Sequence, residues 1–143
     1  RRSPQMPNFT TEADVRLKFQ LNDTVAVPQD LIVAAIDDAH RNILRQIDPD
    51  VDTESPEPGL VSGETLLAGA YLFRSLAAHD AFTQKNVSIG GQRIEDGNRF
   101  RALTGVAALT EKQAWYVLES YLREAPARIP ADATGSTPIL GED

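Results

Sequence analysis

The chain has 143 residues and a formal net charge of −7, with 21 acidic and 14 basic side chains. Its length and its 41% hydrophobic content allow one domain with a proper buried core. The acidic balance argues against proteins that grip DNA phosphates, and the lack of cysteine excludes disulfides and thiolate metal sites.

The chain opens with residues 1–8, which carry two prolines and no hydrophobic periodicity and therefore predict a flexible arm. A short helix follows from Glu12 to about Leu21. Thr11 and Asp14 have the spacing of a capping box at its start. We expect the helical domain to span residues 9–124.

The clearest amphipathic helix runs from Pro28 to Ile47. Its apolar face recurs at steps of three or four residues, as expected for a helix that buries one side: Ile32, Ile36, Ala39, Ile43 and Ile47. The Asp48-Pro49 pair predicts its end, because the residue before a proline avoids the α region.

The next segment, residues 48–63, is predicted to be a loop rich in proline and acidic side chains. Its carboxylates are those of Asp48, Asp50, Asp52, Glu54 and Glu57. Their alternation is superficially that of a calcium loop, but Thr53 and Gly59 stand where that loop needs glycine and glutamate. We therefore interpret it as a solvated loop, with a divalent-ion contact as the weaker alternative.

A third helix is predicted from Gly63 to Phe82, and it is apolar nearly all round. Such a helix lies centrally in a bundle or against a partner subunit. Alternating apolar residues around a Gly-Gly pair then predict a β-hairpin or an extended excursion. The hairpin residues are Val87, Ile89, Gly90, Gly91, Arg93 and Ile94.

The last part of the domain is predicted to hold a short helical piece between Gly97 and Gly105 and a fourth helix from Thr110 to Glu124. Residues 125–143 predict an extended tail with exposed apolar positions. The predicted fold is thus mainly α: a small bundle of four to five helices with one β-hairpin or extended excursion and flexible termini.

No group of residues predicts an active site or a bound metal. His40 lies beside an apolar stripe, where a histidine is usually packed, and metal sites need three or four converging ligands. The side chains of the neighbours His79 and Asp80 point about 100° apart on a helix, so they do not face each other as a catalytic His–Asp pair would. The basic side chains are concentrated in one place, at Arg93, Arg99 and Arg101. We expect these arginines to form an ion-paired or solvated face, and the alternative is that they bind a phosphate or an acidic partner.

We accordingly expect no enzyme activity and no cofactor. We also expect no membrane partner, because no apolar run approaches the roughly 20 residues of a membrane span. A DNA-reading helix-turn-helix protein is disfavoured, because no helix carries a basic, base-reading face.

Five segments in order carry a family resemblance: TTEADVRLKF, LIVAAIDDAHRNILRQID, LAGAYLFRSLAAHD, VSIGGQRIEDG and EKQAWYVLESYLR. This pattern resembles the head–tail connector proteins of tailed bacteriophages, also called adaptor or head-completion proteins. The resemblance covers about Phe9 to Arg123. The long acidic loop of residues 48–58 departs from it, because such proteins carry a shorter, more aromatic connection there.

The resemblance implies a structural protein of the virion neck, assembled in the bacterial host cytoplasm. Such proteins form a ring, commonly of twelve subunits, beneath the capsid portal. The ring binds the portal and a tail or stopper protein, and DNA passes through its channel without being held. The alternative, from a different class, is a small helical host regulator or adaptor that acts as a monomer or dimer with one protein partner.

The resemblance also assigns roles to three segments. The tail would dock on the portal through Ile129, Pro130, Ile139 and Leu140. The hairpin would contact a neighbouring subunit or the next ring. The acidic loop would lie at the lumen or at a subunit edge.

Overall fold

The structure, a computed structural model, describes residues 8–84 and 90–123, with side chains for residues 8–81 and 98–123. Its elements in chain order are α1 (Glu12–Phe19), α2 (Gln29–Gln46), α3 (Pro58–Gln84), α4 (Gly90–Leu118) and a 3-10 helix (Glu119–Tyr121). The predicted mainly helical fold is confirmed. Within these described ranges the only strand-like pairing is an isolated antiparallel bridge between Ile47 and Leu122.

Helix α1 begins at the predicted capping box. The Asp14 N–H donates to Thr11 Oγ1 at 3.2 Å, and the Thr11 N–H donates to Asp14 Oδ2 at 3.3 Å. These bonds satisfy backbone donors that a helix start otherwise leaves unpaired. The helix is fixed to α3 at its other end, where the Phe19 ring meets Phe73 edge-on with centroids 5.1 Å apart.

Helix α2 buries the predicted apolar face against α3. All five residues of that face are buried: Ile32, Ile36, Ala39, Ile43 and Ile47. The helix ends at Gln46, and Ile47 is already extended with ψ 146°. The predicted end at the Asp48-Pro49 pair is therefore confirmed to within two residues.

Helix α3 is the central element, and it starts five residues before the predicted Gly63, at Pro58. Proline suits a first helical position because its missing N–H has no partner to lose there. The other helices cover the apolar surface that the sequence left open to a partner subunit. Leu118 of α4 packs against Gly63, and Phe19 of α1 packs against Gly69.

The predicted β-hairpin is not confirmed. Its turn and second strand are helical and belong to the first turns of α4: Gly90, Gly91, Arg93 and Ile94. The first-strand residues Val87 and Ile89 lie outside the described residues. The described chain therefore contains no hairpin that could make the expected contact with a neighbouring subunit.

Helix α4 also continues through Gly105 and Thr110, which the sequence pattern reads as a break and a cap. A glycine inside a helix costs about 0.5–1 kcal/mol relative to alanine. Packing offsets this cost, because α4 makes the most extensive helix–helix contact of the fold, with α3. Ala107, Ala114 and Leu118 are buried there.

Helix α4 ends at Leu118 and not at the predicted Glu124, because the backbone that follows it forms hydrogen bonds with the end of α2. The Asp48 N–H donates to the Tyr121 carbonyl, and the Arg123 N–H donates to the Gln46 carbonyl, both at 2.9 Å. These two bonds hold the last described residues beside the start of the acidic loop.

Two glycine substitutions test this packing. A Cβ at Gly63 would overlap the buried Leu118 side chain, whereas a Cβ at Gly105 would meet nothing within 4 Å. We expect Gly63→Ala to lower the free energy of unfolding by about 1–3 kcal/mol through overpacking. Gly105→Ala should raise it by about 0.5–1 kcal/mol. Urea unfolding measures both, and equal effects would contradict the helix packing described.

Candidate functional site

The most heavily bonded polar group in the core is the carboxylate of Glu64 on α3, which is 0% exposed. Its Oε1 lies 2.7 Å from His40 Nδ1 on α2. Its Oε2 accepts the backbone N–H groups of Phe9 at 2.8 Å and Thr10 at 3.0 Å. A buried carboxylate is costly unless its oxygens are satisfied, and three donors satisfy this one.

The segment before α1 is fixed at successive residues around this carboxylate. The Thr10 and Thr65 hydroxyl oxygens are 2.6 Å apart, and both side chains are buried. The Asn8 amide donates to Asp37 Oδ1 at 2.9 Å. Residues 8–10 are therefore tied to α2 and α3 by side chains rather than by a regular backbone ladder.

His40 is packed, as its place beside the apolar stripe predicts. With its ring proton on Nδ1, His40 donates to the Glu64 side chain at 2.7 Å. Its ring lies edge-on to Phe9 with centroids 4.7 Å apart. The Nε2 atom is buried and has no hydrogen-bond partner among the described residues. A substrate has no access to it, so the His40–Glu64 pair holds the fold together.

The acidic loop is stabilised by its own side chains. Asp48 Oδ1 accepts the N–H of Asp50, and Asp52 Oδ1 accepts the N–H of Glu54, each at 2.9 Å. These are Asx turns, which explain two of the five carboxylates without any ligand. Asp50, Glu54 and Glu57 are exposed. No three His, Asp or Glu residues converge as metal ligands in the chain as far as it is described.

The arginine concentration is partly ion-paired, as predicted. Arg99 Nη2 donates to Asp80 Oδ1 at 3.1 Å, and Arg99 Nε lies 2.8 Å from Asp80 Oδ2 as an ion pair without aligned hydrogen-bond geometry. Arg101 is exposed. Arg93 lies in α4, and its side chain is outside the described part. The carboxylate of Asp80 therefore bridges α3 and α4 through Arg99.

A second polar cluster joins α2, α3 and α4 around Tyr71. Burial raises the pKa of the Tyr71 hydroxyl above 10.0, although the hydrogen bond from the Asn42 amide opposes this. The Glu111 carboxylate raises the pKa further and also pairs with Arg74. The hydroxyl therefore keeps its proton at neutral pH and is no general base.

The surface that the sequence pattern missed is the outward side of α4. Three large apolar side chains are exposed there: Val106 at 47%, Leu109 at 60% and Tyr116 at 78%. Their spacing of three and seven residues places them on one side of the helix. Gly105 lies on the same side and leaves open space. We call this surface, residues 98–116, the α4 face.

The charge of the α4 face is opposite to that of the chain. None of its exposed residues is acidic, although the whole chain carries 21 acidic against 14 basic side chains. Its cations are Arg99, Arg101 and Lys112. Because Arg99 is neutralised by Asp80, two cations remain, and neither makes an ion pair with the described residues. The face is thus apolar along its length and basic at its margin.

The sequence pattern failed here because it divided the helix at Gly105 and Thr110. The face could have been predicted from the helical spacing of Val106, Leu109 and Tyr116, which continues past Thr110. The tail residues Ile129, Pro130, Ile139 and Leu140 lie outside the described residues, so their docking role stays a prediction.

Comparison with known proteins adds no assignment: no family model, no curated protein and no solved structure matches the chain. No helix in the described part of the chain is long and apolar enough to cross a membrane.

Glu64 substitutions test the buried cluster. Glu64→Ala leaves two backbone N–H groups and the His40 ring without partners, so we expect a loss of about 3–5 kcal/mol of stability. Glu64→Gln keeps the shape and some of the bonds and should cost less. Chemical denaturation measures the loss, and amide exchange at Thr10 should accelerate in both variants. Glu54→Ala, at an exposed glutamate, is the control, and an equal loss there would contradict the role of Glu64.

Proposed function

We propose that this chain is a structural protein of a tailed-phage virion that forms a ring beneath the capsid portal, joins head to tail and continues the DNA channel. The observation that carries this proposal is the α4 face. The helical fold and the family resemblance of the sequence pattern support it. No part of the proposal requires a cofactor or a catalytic group.

The α4 face suits a protein partner because it exposes large apolar side chains together. Val106, Leu109 and Tyr116 keep a substantial part of their surface in contact with water. A contiguous exposed apolar patch rimmed by polar residues is typical of an interaction site. It includes the aromatic residue Tyr116 at its C-terminal end, and aromatic residues contribute strongly to interface energies.

The charge of the face favours a second copy of the chain that presents a different surface. In a twofold contact the face would meet itself, and Arg101 and Lys112 would approach the same cations. A head-to-tail contact instead brings the face to an acidic surface of the neighbour, which this chain supplies in abundance. Head-to-tail contacts close into rings when the rotation between copies allows it.

The acidic loop suits the proposed lumen or subunit edge. Its exposed residues Asp50, Glu54 and Glu57 repel DNA phosphates, so DNA passing through a ring would slide rather than bind. The same loop is a source of the acidic surface that a neighbour's α4 face requires. The proposed partners are the portal, a tail or stopper protein and further copies of the chain.

Val106→Asp tests the α4 face. It places an unpaired carboxylate in the proposed contact instead of an isopropyl group, so we expect copies to bind purified portal rings at least about tenfold more weakly. Helicity by circular dichroism should stay unchanged, because the side chain is exposed in the isolated chain. Quantitative pull-down over a concentration series gives the affinity.

Val33→Asp is the matched control, because Val33 is 40% exposed, lies in a helix as Val106 does and belongs to α2 instead of the α4 face. It should bind portal rings like the unmodified chain. If Val106→Asp also binds normally, the α4 face is not the contact between copies.

Deletion of residues 126–143 tests the tail. The last described helix ends at Tyr121, so helicity should be unchanged, whereas portal attachment should be lost. Deletion of residues 1–7 should leave attachment intact. Normal attachment after the C-terminal deletion would remove the portal-docking role from Ile129, Pro130, Ile139 and Leu140.

A further inference from the structure

An apolar groove of about 570 Å³ lies between α1 and the first turns of α3, where nothing in the described chain fills it. We call it the α1–α3 groove. Its walls include Leu17, Lys18, Pro56, Pro58, Val61 and Ser62. Leu17 is 74% exposed, so its side chain is open to contact by an occupant of the groove.

The last described residues lie near the start of α3, next to residues that line this groove. The Tyr121 ring lies over Gly59 at the start of α3, and its hydroxyl donates to Glu57 Oε1 at 3.2 Å. Pro56 and Pro58, on either side of Glu57, line the groove. Arg123 itself is bonded to the Gln46 carbonyl at the end of α2, so the segment that follows it must cross a short distance to reach the groove.

The first large apolar residue after Arg123 is Ile129. It is eight residues beyond Tyr121, a span that reaches up to about 26 Å when extended. Pro130 follows it and biases Ile129 toward extended backbone, which lowers the entropy lost on docking in a groove.

Charge complementarity points to the same segment. Arg128 is the only cation after Arg123 in the sequence. One carboxylate, that of Asp14, and one cation, Lys18, line the groove, and Glu57 lies between the lining residues Pro56 and Pro58. A contact between Arg128 and one of these carboxylates would fix the register of the segment, with Ile129 inside the α1–α3 groove.

We infer that the α1–α3 groove is the docking site for residues 127–131 of the same chain, with Ile129 against Leu17 and Val61 and with Arg128 near the carboxylates of Asp14 and Glu57. This contact shapes the start of the tail and leaves Ile139 and Leu140 to reach other proteins. The inference does not depend on the proposed function, because it concerns the isolated chain alone.

The lack of cysteine makes a cross-linking test clean. The full chain carrying Ser62→Cys and Ala131→Cys is oxidised mildly without portal, and disulfide formation is followed on non-reducing gels. The control pair is Ser75→Cys with Ala131→Cys, at an exposed serine of the same helix that does not line the groove. We expect the groove pair to close at least about tenfold faster, within single chains, because docking raises the effective concentration.

Two further variants make the outcome decisive. Leu17→Asp or Arg128→Glu should slow the groove pair to the rate of the control pair, whereas deletion of residues 132–143 should leave the groove pair unchanged. Equal rates for the two pairs, or disulfides mainly between different chains, would overturn the inference. Loss of portal binding alone would bear on the proposed function and not on the groove.

Discussion

The fully buried carboxylate of Glu64 is the interaction on which the remaining arrangement depends. It joins α3 to α2 through His40 and to the segment before α1 through two backbone N–H groups. Because an isolated buried charge is costly, all three donors must be in place together. The carboxylate therefore makes the docking of α1, α2 and α3 mutually dependent, which a purely apolar core does not require.

Close packing on α3 extends this dependence to α4. Gly63 lies one residue before Glu64, and Leu118 sits against it where any side chain would intrude. The end of α4 is then held to α2 by main-chain bonds at Asp48 and Arg123. With its inner side used in this way, α4 has only its outward side left for other molecules. The exposed apolar residues of the α4 face are thus a consequence of the fold and are available to a partner.

The sequence predicted those elements whose signals are local. The five-residue apolar face of α2 and the Thr11–Asp14 capping box are both present in the structure. It failed where tertiary packing outweighs local preference. Gly90, Gly91 and Gly105 indicated turns, yet all three lie in one helix of 29 residues, whose later part packs on α3 through Ala107, Ala114 and Leu118. The α4 face was missed as a result, since its apolar residues span the expected break.

Glu64 was missed for a related reason. With the helix expected to start at Gly63, a glutamate next to it belongs in the first turn, where acidic residues are common and exposed. The true start at Pro58 moves Glu64 into the helix interior, and only the fold reveals that residues 8–10 and His40 supply its donors. A boundary error of five residues therefore hid the central buried polar group.

The helical domain presents two different surfaces. One is the apolar and basic α4 face, and the other is the acidic remainder of the chain. The central claim is that copies of the chain associate head to tail on a portal. Native mass spectrometry of the purified chain, alone and mixed with portal rings from the same virus, measures this most directly. We expect a monomer alone and a portal complex carrying a full ring of copies. A stable dimer that ignores the portal would contradict the account and favour a small helical regulator.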